Sequence, residues 1–218
     1  MRIKDASAVL PVFGSPHGAA VHAELAALIA SKGALLSGHF RLHSGLHTPY
    51  FLRFGQLAYE PAIAARLAEV CASQLVGAVE RPSVVLCAET AARFLGAALA
   101  EPLGAELAIA EVDEWRQPRA ALLAGALEGR REVVVVTDVV TTGRSIAPLV
   151  ELARAAPEAP RVRLVAFACL DPRGIGGALA QLRVEGGCLL EGRWTSYAAS
   201  DCALCREGVE LVPAYEFN

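Results

Sequence analysis

The segment V-V-V-V-T-D-V-V-T-T-G-R-S-I, residues 133–146, constrains the fold more than any other stretch of the chain. Four consecutive valines cannot alternate between core and solvent, so their strand must be covered on both faces, as in a parallel sheet under helices. The strand is expected to end at Asp138. Thr141, Thr142, Gly143 and Ser145 follow, and a helical composition resumes over residues 147–156. Gly143 lets the backbone turn and approach a ligand, the hydroxyls add donors, and a helix start offers unbonded N–H groups, so the loop suits a phosphate without any lysine. The segment lacks both G-x-x-x-x-G-K-[ST] and G-x-G-x-x-G, which sets aside the Walker loop and the dinucleotide fingerprint.

The chain's 218 residues fit one α/β domain with an appendage and are ample to bury a core. A formal net charge of −3 argues against a nucleic-acid partner, because phosphate backbones demand concentrated positive charge. The hydrophobic fraction is 54%, yet every long apolar stretch is interrupted well before the roughly 20 residues of a membrane span. The first residues, M-R-I-K-D-A-S-A-V-L-P, lack the continuous apolar segment of a secretory signal. A cytoplasmic protein, without membrane or nucleic-acid partners, is expected. The six cysteines imply no disulfide framework. Cys202-Ala203-Leu204-Cys205 stands apart as half of a zinc site, a redox pair or a tight turn carrying two thiols.

Apolar residues Val21, Leu25, Leu28 and Ile29 recur at helical spacing and Gly33 is placed to stop that helix. Residues 34–57 alternate apolar and polar around Ser44-Gly45, the pattern of a β-ribbon. Pro61 opens a second helix reaching about residue 79, and 83–87 form a short apolar strand. Residues 90–100 are helical in composition, 106–111 a strand, and 112–127 a mobile-loop candidate without clean periodicity. A further buried strand covers 162–170 and runs into Asp171-Pro172-Arg173-Gly174. Strands alternating with helices imply a mainly parallel, doubly wound sheet with its ligand crevice beyond the strands' C-terminal ends, where Asp138, Thr141 and Asp171 fall. No internal repeat is present.

Residues 133–143 resemble the phosphoribosyl-pyrophosphate (PRPP) motif of type I phosphoribosyltransferases: an apolar strand, two acidic residues, two apolar residues, then Thr-Thr-Gly. G-H-F-R-L-H-S-G-L-H-T-P-Y-F, residues 38–51, is similar to the hood ribbon of orotate phosphoribosyltransferases, which Ser44, Gly45, His47, Thr48 and Tyr50 fit. Leu170-Asp171-Pro172-Arg173 lies near that family's Asp-Arg, and C-A-L-C-R-E-G-V-E-L looks like the cysteine-containing tail of one of its branches. The resemblance spans residues 20–213. It implies a single type I phosphoribosyltransferase domain over 1–218, with a mainly parallel sheet flanked by helices (core about 60–185) and a small N-terminal β hood (mainly 34–57 plus the C-terminal segment). It also implies transfer of phosphoribosyl from PRPP to orotate, with Mg²⁺ carried on PRPP rather than by a direct protein ligand, in a homodimer.

By the same resemblance, Asp138 accepts from the ribose and, with Arg116 and Arg119, serves catalysis. Asp138, Val139, Val140, Thr141, Thr142, Gly143, Arg144 and Ser145 hold PRPP, while Ser44, Tyr50, Phe51, Thr141 and Arg173 meet the base. Tyr50 and Phe51 fit hood packing as well as base stacking, and Arg173 fits a surface turn as well as a carboxylate clamp. His43 and His47 are expected on one face of the ribbon, as exposed hydrogen-bonding residues rather than catalysts, with a ligand role as the alternative. Three features depart from the family. Thr137 replaces the first acid; the turn Cys87-Ala88-Glu89-Thr90-Ala91-Ala92 brings a carboxylate where pyrophosphate would sit; and residues 111–119 keep only Arg116 and Arg119 as cations. The competing reading is therefore a protein of this fold that binds PRPP or a nucleotide without turnover, or one that uses another base. Since the only lysines are Lys4 and Lys32, arginine must manage the charge.

Overall fold

The computed structural model describes residues 4–5, 13–14, 18–75, 78–81, 83–170, 173–192 and 194–214. In chain order the elements are β1 (Lys4–Asp5), β2 (Phe13–Gly14), α1 (Ala19–Ser31), β3 (Leu35–Arg41), β4 (His47–Leu52), α2 (Gly55–Ala58) and α3 (Pro61–Leu75). Next come β5 (Ser83–Ala88), α4 (Ala92–Leu103), β6 (Glu106–Val112), β7 (Pro118–Ala124), β8 (Glu132–Val140) and α5 (Ala147–Arg154). The chain continues with β9 (Arg161–Cys169), α6 (Gly174–Leu182), β10 (Glu185–Gly192), α7 (Ala203–Arg206) and β11 (Val212–Pro213).

The larger sheet runs β2-β10-β9-β8-β5-β6-β7. Its five inner strands are parallel, while β2 and β7 join the edges antiparallel. The strand order reverses between β5 and β8: from β5 the chain winds outward through β6, and from β8 it winds the other way through β9 and β10. Connections leaving those two neighbours depart to opposite sides and open a crevice between their C-terminal ends. The smaller sheet has β3 at its centre, with β4 along one edge and β1 and β11 along the other.

The valine strand behaves as a strand covered on both faces. Val134 and Val136 enter one core, with α3, α4 and the hood, whereas Val133 and Val135 enter the other, under α5 and α6. Strand β5 does the same, sending Val85 and Cys87 to the first core and Val84 and Leu86 to the second. Two-residue periodicity thus feeds two cores from one sheet. Where β10 lies against β9, Gly186 has φ +147 and a Cβ there would stand 1.9 Å from the Leu164 carbonyl oxygen, so only glycine permits this strand pairing.

Two expectations change. The mobile-loop candidate at 112–127 contains β7, which pairs with β6 as an edge strand. Its alternation is weak because much of its surface faces solvent, which left the pattern illegible. The valine strand also extends two residues past Asp138, to Val140, because Val139 and Val140 keep pairing with β9. Beyond both, β10 carries the sheet past residue 185. The residues 171–172, expected at the crevice edge, lie outside the described residues.

At the N-terminal end of β8, away from the crevice, Glu132 is fully buried and accepts from Arg163 Nε at 2.8 Å and from the Glu80 N–H at 2.7 Å. Removing one member of a buried pair leaves an uncompensated charge. Glu132→Gln should therefore lower the unfolding free energy by about 3 kcal/mol in urea denaturation while sparing the ligand end of the sheet. Unchanged stability would mean that Glu185, 3.5 Å from Arg163, suffices as its partner.

Candidate active site

A cavity of about 720 Å³ opens at the sheet's reversal point, within the range of small-molecule sites. Its floor comes from the end of β8 and the loop after it: Thr137, Asp138, Val139, Thr141, Thr142, Arg144 and Ser145 all line it. One wall is the β5–α4 turn with Glu89, Thr90 and Arg93, and the roof is the hood, with Ser44, Thr48, Tyr50 and Phe51 joined by Trp194 and Ser196.

The loop is shaped by Gly143, at φ +75, whose carbonyl accepts from the Ile146 and Ala147 amides and so starts the turn into α5. The amides of Thr141, Thr142 and Ser145 have no backbone acceptor among the described residues, so the loop offers N–H and hydroxyl donors, the chemistry that suits an anion. A Cβ on Gly143 would face Leu182 and Ala178 of α6 rather than the cavity. Its requirement for glycine is therefore conformational rather than one of close ligand approach, and neither Gly143 nor the fully buried Val140 lines the cavity.

Asp138 stands at the centre of the floor. Its Oδ1 accepts from the Val139 N–H at 2.8 Å, with the Thr137 hydroxyl at 3.4 Å. Burial pushes this carboxyl above the ordinary range, and those donors only partly offset it. Glu89, opposite, is flanked by guanidinium groups: Arg93 Nη1 lies 3.5 Å from its carboxylate, and Arg116 Nη2 donates to its backbone carbonyl at 3.0 Å. The carboxylate expected to repel an anion is thus partly offset by Arg93, while Arg116 is fastened to the backbone of the same turn. Ser44 Oγ is buried and without a hydrogen-bond partner among the described residues, so the roof presents an unsatisfied polar atom.

Of the two loop arginines expected from the sequence, only Arg116 reaches the cavity. It sits in a turn closed by Asp113, whose Oδ1 accepts from the Trp115 and Gln117 amides at 3.0 and 2.8 Å, and this turn holds Arg116 at φ +60. Such a conformation is strained for a side chain larger than glycine and here points a guanidinium at Glu89. Arg119 falls on the exposed edge strand, 3.9 Å from Glu114, and does not line the cavity. Arg173 also lies off the cavity wall, its Nη2 3.4 Å from Gln181 on its own helix. Sequence reasoning missed Arg93. Its signal was an i, i+4 partner to Glu89 across a helix start, and its guanidinium rests 5.0 Å from the Phe94 ring centroid.

Tyr50 packs on Trp194 at 4.9 Å between centroids and Phe51 on Phe40 at 5.8 Å, so each ring both packs the hood and faces the cavity. The two histidines do not share a face: β3 ends at Arg41, so His43 lies exposed in the turn at the cavity mouth, whereas His47 is buried in β4 beside His39.

The architecture is that of a type I phosphoribosyltransferase. Solved structures sharing this fold include orotate phosphoribosyltransferase from Aeropyrum pernix, at TM-score 0.56 and 23% identity over 77% of this chain and 92% of that one. Adenine phosphoribosyltransferase from Trypanosoma brucei matches at TM-score 0.54 and 16% identity over 73% and 77%. No protein-family model matches the chain. Among curated relatives, orotate phosphoribosyltransferase from Carboxydothermus hydrogenoformans is 32% identical over 87% of this chain and 95% of its own, and that from Thermus thermophilus is 32% identical over 84% and 96%. The chain belongs to the orotate phosphoribosyltransferase family.

The raised Asp138 titration has a measurable consequence. Between the usual carboxylate value and the raised folded one, the native state holds a proton that the unfolded chain has lost, so stability falls as pH rises through that window and stays reduced above it. Asp138→Asn should raise Tm at neutral pH and flatten the decline across the acidic range in a calorimetric pH series. A lower Tm than wild type at pH 7 would contradict this account.

Proposed function

We propose that the cavity transfers phosphoribosyl from PRPP to orotate, releasing pyrophosphate and orotidine 5-monophosphate, a reaction of pyrimidine synthesis. The observation that carries this reading is the convergence at one sheet reversal of an anion-shaped loop at 141–145, a central carboxylate at Asp138 and an arginine-flanked turn at Glu89, roofed by the hood. The loop takes the 5-phosphate through amides and the hydroxyls of Thr141, Thr142 and Ser145. Asp138 accepts from the ribose and fixes the anomeric carbon. Ser44 supplies a donor to the base, against the rings of Tyr50 and Phe51.

A ring nitrogen of orotate forms its bond to the anomeric carbon with its own electron pair, while the bond to pyrophosphate breaks and the departing oxygen keeps its pair. Because both reactants are anions, the protein's task is to orient them and to stabilise the leaving charge. Arg93 and Arg116 do so from the turn side, since they already bracket Glu89 there, and Arg144 adds a third cation from the phosphate loop. Glu89 and Asp138 supply cavity carboxylates that fit a magnesium ion held chiefly by substrate oxygens. Mg²⁺ bound to the diphosphate would screen its charge and make it a better leaving group.

The same reading includes a cytoplasmic homodimer. Exposed Trp115 and Leu123, on the β6–β7 hairpin, offer the apolar surface such a contact needs. Among the described residues, no helix is long and apolar enough to cross a membrane.

A steady-state assay for pyrophosphate release should respond to orotate and not to uracil, hypoxanthine or adenine. PRPP binding without release with any base would favour a regulatory role instead. Asp138→Asn should weaken PRPP binding by roughly tenfold to a hundredfold, the loss of one charge-assisted hydrogen bond.

Arg93→Ala and Arg116→Ala should each lower kcat more than they raise KM, the mark of contacts made mainly in the transition state. Arg119→Ala should leave both near wild type. An Arg119 variant as impaired as Arg116→Ala would show that the hairpin closes farther over the substrate than its resting geometry.

A further inference from the structure

On the hood, outside the cavity, four side chains converge that the reaction does not use. His39 Nε2, His47 Nδ1, Cys202 Sγ and Cys205 Sγ all lie within 4.8 Å of one another. His39 Nε2 is 3.0 Å from His47 Nδ1, 3.4 Å from Cys202 Sγ and 3.6 Å from Cys205 Sγ, while His47 Nδ1 is 3.2 Å from Cys205 Sγ. In a tetrahedral zinc site with Zn–N near 2.05 Å and Zn–S near 2.3 Å, the edges are about 3.4 Å for N···N and about 3.6 Å for N···S. These four separations match or fall slightly short of those edges.

We infer that His39, His47, Cys202 and Cys205 form a closed structural zinc site that fastens the C-terminal segment to the hood. The donor chemistry selects the ion: two thiolates and two imidazoles in a tetrahedral arrangement suit Zn²⁺ and disfavour Mg²⁺ or Ca²⁺, which take oxygen ligands. A hydrogen-bonded cluster satisfies these atoms less well. His39 Nδ1 lies 2.8 Å from the Val209 carbonyl oxygen, so Nδ1 carries the proton and Nε2 presents a lone pair to the other three groups. A single proton satisfies that lone pair once; a cation satisfies all four donors together. Three of the four residues are buried, and Cys205 is exposed and provides the route of entry.

The backbone is organised around the same point. Strand β3 carries one extra residue relative to β4, because Ser37 pairs with Tyr50 but Phe40 pairs with Thr48. Without that bulge the earlier register would set His39 opposite Thr48. With it, Arg41 opposes His47, and His39, two residues earlier, shares the His47 side. His47 is also held by reciprocal backbone hydrogen bonds with Tyr197, at 2.8 and 2.9 Å, and Cys202 and Cys205 flank the first turn of α7. The ion therefore ties β3, β4 and the tail. Thr48, the residue after His47, lines the cavity, so the clamp also steadies the roof.

The test uses the full chain and reads metal rather than turnover, so its failure is separable from failure of the proposed reaction. Protein purified without chelator should contain about one zinc per chain by mass spectrometry, and the Cys202→Ser/Cys205→Ser variant less than about a tenth of that. Wild type stripped by a chelator should lose Tm and regain it with ZnCl₂. Cobalt added to the stripped wild type should give the intense visible and thiolate charge-transfer bands of tetrahedral Co²⁺, which His39→Ala should weaken. Should the variants fail to fold, stripping and cobalt titration of the wild type still decide. Absence of zinc together with absence of the cobalt bands would overturn the site. So would an intact mass showing Cys202 and Cys205 oxidised to a disulfide in the freshly purified protein.

Discussion

Everything at the ligand end depends on the reversal of strand order between β5 and β8. Two parallel strands that lie side by side but send their chains in opposite directions leave no connection covering the gap between their ends. That gap is held open by a sheet whose inner strands are buried on both faces, so the two turns above it are anchored to a rigid floor. The β8 loop and the β5–α4 turn reach the same point because Val84 to Cys87 hydrogen-bond in register with Val133 to Val136. A slip of one residue would exchange the two cores' valines and move Asp138 away from Glu89.

Electrostatics at the site follow from this placement. The cavity is lined by two carboxylates and three guanidinium groups, with no lysine. Arg93, at a helix start, lies beside the Glu89 carboxylate, and Arg116, in a strained turn, donates to the Glu89 backbone carbonyl. Arginine suits the arrangement: it stays charged whatever its surroundings and its planar group stacks, as Arg93 does by Phe94. Asp138 is the costly member. Its burial disfavours the charge that a ribose contact would use.

The hood follows a different logic. It is small, and its apolar cluster of Leu36, Phe40 and Ala214 is modest beside the two cores of the main sheet. Small units with little apolar area to bury are commonly secured by a cross-link or a metal. The β-bulge that turns His39 toward His47, and the tail that returns to bring two thiols there, provide the means.

Much of this was readable from residues alone. Four valines in a row require a strand covered on both faces, Gly143 marks the turn between β8 and α5, and the ribbon expected over 34–57 is present as β3 and β4 because local alternation determines them, although its last residues, from Gly55, form α2 instead. What depended on contacts between distant segments was not readable. The strand at 118–124 gains its conformation from β6 and has too little burial of its own to show a period. Arg93 joins the cavity, and Arg119 and Arg173 stay out of it, because side-chain direction is decided by helix starts and edge strands rather than by spacing. The cysteine pair left zinc, redox and turn readings open for the same reason: Cys202 Sγ meets the ring of His39 across 163 positions of sequence, and only the folded hood brings them within 3.4 Å.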